Sequence, residues 1–365
     1  MDGNDSSSSL TPSRQRVLDA IAFRAPDRLP RWDNFDIFGD FSSRWRRWKG
    51  LGPDVDPAEY YGIDCGMCMC DEGPFFSQTR PLRHEGGYDI VFDSWGRTLR
   101  QKPGAAWFME TVETLLEDPA ALDRLEFEDT AADARYGAYL GRIAAERQAG
   151  RLAFTKVGGV YVRSQFMRRE DRLLIDMALD PGFCDALFGR MGDHLTRIAL
   201  EELRRSDSWE TGIWFYDDCA NVLAPMFSPA MWERYLQPVY ARMIATLRAA
   251  GCRHFYLHSD GNIMPLIPLM LDVGLEGFNP LEPRSNDLAA LRAQYGQRIV
   301  FFGGVCNTRI LPRGDRREIE AHVRALIELG REGGLIIGQA SLGEDISPAA
   351  YDTYMTVLRE HAQFR

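Results

Sequence analysis

From about residue 150 to its end the chain alternates short apolar segments with longer amphipathic ones, and this rhythm limits the available folds more than any other feature. The apolar segments are Leu152–Tyr161, Gly212–Tyr216, His254–Leu257, Gly277–Leu281, Ile299–Gly303 and Gly334–Ile337. Each is too short for a helix and apolar throughout, as parallel strands covered by helices on the outside must be. Helical segments separate them, among them a stretch opening at Ser228-Pro229, Leu288–Tyr295, Arg316–Leu329 and Pro348–His361. Ser228 supplies a cap and Pro229 a first turn that needs no amide hydrogen. Upstream, Arg28–Phe35 and Gly62–Met69 read as two further strands, giving eight in all. No Gly-x-Gly-x-x-Gly opens a strand–helix unit, so a closed (β/α)8 TIM barrel is preferred to a doubly wound sheet.

Two additions to the barrel are expected. Residues 13–23 form an N-terminal amphipathic helix capped by Ser13 or Thr11, and YDIVFDSWGRTLRQ, from Tyr88 to Gln101, forms a β-hairpin insertion around Asp-Ser-Trp-Gly. No low-complexity linker divides the chain, so residues 13–365 are expected to be one domain and residues 1–12 a disordered, serine-rich tail. That tail has neither the basic nor the apolar region of a secretory signal, and no apolar run is long enough for a membrane span. A net charge of −10 argues against nucleic-acid binding. Seven scattered cysteines point to a reducing, cytoplasmic setting, with Cys65, Cys68 and Cys70 as buried small residues and not a metal knuckle.

In such a barrel the C-terminal strand ends form the active face. They read Tyr216-Asp217-Asp218, His258-Ser259-Asp260-Gly261-Asn262, Asn279-Pro280-Leu281-Glu282, Cys306-Asn307 and Gln339-Ala340-Ser341. Taken alone, His258-Ser259-Asp260 would be an ordinary strand cap and helix N-cap. Carboxylates, imidazole and amides delivered by successive strands to one rim point to chemistry. Asp260 and Glu282 beside His258 have the character of a general acid and base, with Asp217 a further proton carrier. Trp32, Phe35, Trp95, Tyr161 and Tyr216 offer walls for a flat apolar or methoxylated ligand. Arg163, Asp217, Asn262, Gln339 and Ser341 offer orienting polar groups.

The segments GIWFYDDCANVLAPMFSPAMWERYLQP and GCRHFYLHSDGNIMPLIPLMLDVGLEGFNPLEP, with the IVFFGGV strand, resemble the uroporphyrinogen decarboxylase superfamily, and within it the cobalamin-linked methyltransferases. The resemblance implies a (β/α)8 barrel and methyl transfer between a small substrate and a corrinoid carried by a partner protein. It departs from the decarboxylase proper, whose arginine-rich N-terminal motif is replaced by Pro30-Arg31-Trp32-Asp33-Asn34-Phe35 and whose late histidine by Ser341. Thiol-methylating members hold zinc with His-x-Cys and a late Cys. The corresponding positions here are His258-x-Asp260 and Ser341, with Glu282 on the next strand. An imidazole with two carboxylates, His258, Asp260 and Glu282, is a harder ligand set that suits zinc or a harder divalent ion. Loss of both sulfurs favours O- or N-demethylation over thiol methylation. Two alternatives remain open: a corrinoid-independent decarboxylase or lyase of a small aromatic acid, and a non-catalytic ligand-binding barrel. Either is compatible with a homo-oligomer.

Overall fold

The computed structural model describes residues 10–36, 39–104, 109–339 and 341–364. Eight parallel strands form the central sheet: β1 (Arg31–Trp32), β2 (Cys65–Cys68), β7 (Leu152–Gly158), β8 (Ile213–Tyr216), β9 (Phe255–His258), β10 (Gly277–Asn279), β11 (Val300–Gly304) and β12 (Leu335–Gly338). Their order is β1-β12-β11-β10-β9-β8-β7-β2, so the two ends of the sheet are β1 and β2. These ends meet without a regular ladder. A backbone hydrogen bond from Asp64 N–H to the Arg31 carbonyl (2.9 Å) joins them, and the Asp64 carboxylate accepts the Arg31 N–H (2.8 Å). The nearly closed (β/α)8 barrel expected from the alternation is therefore present.

Period-two alternation decides what fills it. Leu152, Phe154, Trp214, Tyr256, Val300, Phe302 and Ile336 point inward and pack with Trp32 and Cys65. Trp214 meets Phe302 edge-on at 4.3 Å between ring centroids, and Phe154 meets Trp214 at 6.0 Å. The lower barrel is thus solid aromatic core. Helix Pro12–Ile21, capped by Thr11, closes its N-terminal end by adding Val17, Ala20 and Ile21 to that core.

Several boundaries differ from the sequence reading. The first strand shrinks to Arg31–Trp32, and the strand ending at Gly158 gives way to a helix, Val160–Arg168. Tyr161 is therefore helical and not at a strand end; the run Val160-Tyr161-Val162 has strand propensity that the tertiary context overrides. The insertion is larger than a hairpin. It is a four-stranded antiparallel sheet of β3 (Arg80–Glu85), β4 (Tyr88–Phe92), β5 (Arg97–Gln101) and β6 (Met109–Thr114). β3 is exposed along its whole length, so it carries no apolar alternation by which to find it. Helix Pro12–Ile21 begins inside the stretch expected to be tail; residues 1–9 lie outside the described residues. All seven cysteines are free and buried, and no helix among the described residues is long and apolar enough to cross a membrane.

Asp64 also anchors the N-terminal segment. Its fully buried carboxylate accepts from Arg16 (2.6 Å) and from two nitrogens of Arg28 (2.7 and 2.9 Å). Removing one partner of a buried ionic cluster leaves the others uncompensated. Asp64→Ala is expected to lose about 3–5 kcal/mol of stability, measured as a lowered thermal midpoint, whereas breaking the exposed Arg253–Glu210 pair should shift it far less.

Candidate active site at the barrel mouth

Above the aromatic core the inward positions become polar. On β9 the inward series Tyr256, His258 continues to Asp260; on β8, Trp214, Tyr216 continues to Asp218. The result is one group, Asp218, His258 and Asp260, whose ligand-type atoms all lie within 4.8 Å of one another. His258 Nε2 is 3.7 Å from Asp218 Oδ1 and 4.0 Å from Asp260 Oδ1. Its Nδ1 is 2.5 Å from Asn279 Oδ1, while the Asn279 amide donates to the Phe302 carbonyl (3.2 Å). That donation fixes the Asn279 oxygen toward the ring, so Nδ1 carries the hydrogen and a neutral His258 presents its Nε2 lone pair to two carboxylates. Such an arrangement is satisfied by a proton or a cation.

The electrostatics agree. Burial pushes the His258 pKa down, with Lys156 adding to the effect and Asp218 and Asp260 opposing it. Crowding by protein pushes the Asp260 carboxyl up; Asp218 and Glu282 reinforce this, and His258 opposes it. The loops are pinned against one another to hold this geometry. Asp218 Oδ1 accepts the Asp260 N–H (2.9 Å), and Ser259 Oγ accepts the Cys219 N–H (3.0 Å). Gly261, at φ +82°, lies so close to the Asn221 carbonyl that a Cβ would stand 2.4 Å from it.

The sequence-derived candidates divide by which way they point. Tyr216 faces the mouth, its ring 4.8 Å from that of His258. Arg163 is buried, ion-paired with Glu72, and surrounded by Tyr216 (5.5 Å), Trp95 (5.1 Å) and Phe166 (4.9 Å). Glu282 accepts from Thr308 Oγ1 (2.6 Å) and acts on Asp260 through charge, outside the three-residue group. Trp32 is buried in the aromatic core, and Tyr161 packs on Phe227 away from the mouth. Asn262 bridges loops, donating to the Leu223 carbonyl (3.1 Å). Gln339 is fully buried with its N–H on Asp33, and Ser341 accepts from Asn307. Ala340 lies outside the described residues.

Asp217 points the other way. It accepts the N–H groups of Tyr161 (3.2 Å) and Val162 (2.7 Å) and the Tyr240 hydroxyl (2.7 Å), tying the start of helix Val160–Arg168 to β8. Asp218 occupies the mouth in its place, because adjacent strand residues face opposite sides. The same parity reveals a residue outside the sequence-derived set. On β7, Leu152 and Phe154 point inward, and Lys156 follows them, its ammonium 4.4 Å from the Tyr216 ring centre. The signal for both was a charged residue in phase with inward apolar ones.

Burial raises the Asp217 pKa to about 6, whereas an unfolded aspartate titrates near 4. The folded chain therefore holds an extra proton between these values, and this group favours folding increasingly as pH falls from about 6 to about 4. Thermal melts across that window should show wild type gaining up to about 3 kcal/mol relative to Asp217→Asn as pH falls; parallel profiles would contradict the assignment.

Comparison with known proteins places this mouth in context. Residues 213–361 match the uroporphyrinogen decarboxylase (URO-D) family. The structure is similar to that of a methyltransferase from Methanosarcina mazei, with a TM-score of 0.64 at 14% identity, over 96% of this chain and 99% of that one. A family 5 xyloglucanase from Paenibacillus pabuli aligns over 71% of this chain and 94% of that one, at 11% identity and a TM-score of 0.34. No curated protein matches the chain in sequence. The segment 213–361 that matches this family supplies β8 to β12 and with them Asp218, His258 and Asp260.

Proposed function

We propose that the chain is a methyltransferase that moves a methyl group from an O- or N-methylated small molecule to a corrinoid on a partner protein, with a divalent ion held by His258, Asp218 and Asp260. The observation that carries this reading is the His258 Nε2 lone pair turned toward two carboxylates at the C-terminal mouth of the barrel. The fold shared with a methyltransferase supports it. The donor set fits an ion: one neutral imidazole, oriented by Asn279 on its far nitrogen, and two carboxylates. It contains no thiolate, so zinc or a harder ion suits it better than a thiol-activating zinc centre does. Glu282, hydrogen-bonded to Thr308, reinforces the negative field behind Asp260.

The methyl group leaves a heteroatom that keeps the bonding electron pair, so the site must supply positive charge or a proton there. An ion bound at the three ligands would supply that charge as a Lewis acid. The protein's own part is positioning: Asn279 fixes the imidazole, the Asp260 N–H fixes Asp218, and Tyr216 provides a flat wall beside His258. The partner would dock at the C-terminal mouth, where these groups are reached.

Elemental analysis of purified wild type should find about one divalent ion per chain, lost in Asp218→Asn and His258→Ala and retained in Glu282→Gln. Incubation with cob(I)alamin and methoxylated aromatics should give the absorbance change of cobalt methylation, abolished with the ion. Metal-free wild type that releases carbon dioxide from aromatic acids without corrinoid would replace this reading with the lyase.

A further inference from the structure

Charge in the barrel mouth is unevenly matched. The Arg163 guanidinium is neutralised by the buried carboxylate of Glu72, which also accepts the Gly158 N–H (2.5 Å). Asp218 and Asp260 face His258. Lys156 has no hydrogen bond or ion pair among the described residues, and its ammonium lies over the face of Tyr216, 4.4 Å from the ring centre. Burial lowers its pKa to about 8, with Arg163 adding to the push and Asp218 and Glu72 opposing it. A half-buried ammonium without a counter-ion at contact distance costs free energy that a cation–π contact offsets only in part. An ion on Asp218 and Asp260 would absorb their charge and leave Lys156 less compensated still.

The next inward residue on β7 is Gly158, where a Cβ would stand 2.2 Å from Arg163 Nε and 2.5 Å from Glu72 Oε1. Glycine there lets the Arg163–Glu72 pair fold in against the strand beyond Lys156.

We propose that Lys156 is an anion subsite: the substrate carries a carboxylate that seats on the Lys156 ammonium, its flat body lies along Tyr216, and its reacting end reaches the Asp218–His258–Asp260 group. The placement of the reacting end rests on the methyl-transfer reading; the charge recognition does not. A lysine would act here as a point charge on the carboxylate, through a charge-assisted hydrogen bond at a half-buried position.

The test is calorimetric titration of the purified, metal-bearing protein with 4-methoxybenzoate and with its neutral isostere 4-methoxybenzamide, in wild type, Lys156→Met and Lys156→Arg. Wild type should bind the acid more tightly than the amide by roughly 10-fold or more. Lys156→Met should abolish that preference while leaving amide affinity and metal content unchanged, and Lys156→Arg should keep most of it. Equal binding of acid and amide by wild type, a preference that survives in Lys156→Met, or binding of neither compound overturns the proposal. Acid preference with no methyl transfer to cob(I)alamin would instead count against the methyl-transfer reading and leave Lys156 in its assigned part.

Discussion

The barrel depends on one buried carboxylate. β1 and β2 are the free edges of an eight-stranded sheet, and edges left open inside a core would strand backbone groups without partners. Asp64 answers this at the β1–β2 seam by bonding the Arg31 backbone with its own N–H and its side chain. The same carboxylate gathers Arg16 from the N-terminal helix and Arg28 from the approach to β1. Closing the barrel and seating the plug beneath it are thus one electrostatic event.

The pleat then transmits that order upward. Three neighbouring strands that enter the barrel with inward apolar residues go on to inward polar ones: Phe154 leads to Lys156, Trp214 through Tyr216 to Asp218, and Tyr256 through His258 to Asp260. The site is the uppermost storey of the hydrophobic interior, built on the same registers. His258 shows the dependence most directly, since its tautomer is set by Asn279 on β10, which is set in turn by the Phe302 carbonyl on β11.

Much of this was legible beforehand. Strand–helix alternation located six of the eight strands, Arg28–Phe35 and Gly62–Met69 were read separately upstream, and helices Leu288–Tyr295 and Pro348–His361 lie where the sequence placed them. His258 and Asp260 were readable as a strand end. Asp217 and Asp218 were harder, because adjacent carboxylates look interchangeable until the parity of Trp214 and Tyr216 is counted through the turn. Lys156 was hidden for a related reason: a single charge in an apolar strand draws less notice than a cluster. Helix Val160–Arg168 and the strands flanking the β4–β5 hairpin depended on contacts that no local pattern encodes. One such contact brings Trp95 of the insertion onto Phe166 and Arg163.

The aromatic filling of the lower barrel and the helix beneath it also govern traffic. With Trp214, Phe302, Phe154 and Tyr256 packed ring against ring and Pro12–Ile21 beneath them, the described residues close the N-terminal end of the barrel. His258 is therefore approached from the C-terminal side of the barrel. A corrinoid protein docked on that side, as proposed above, would cover the face by which a small reactant reaches His258.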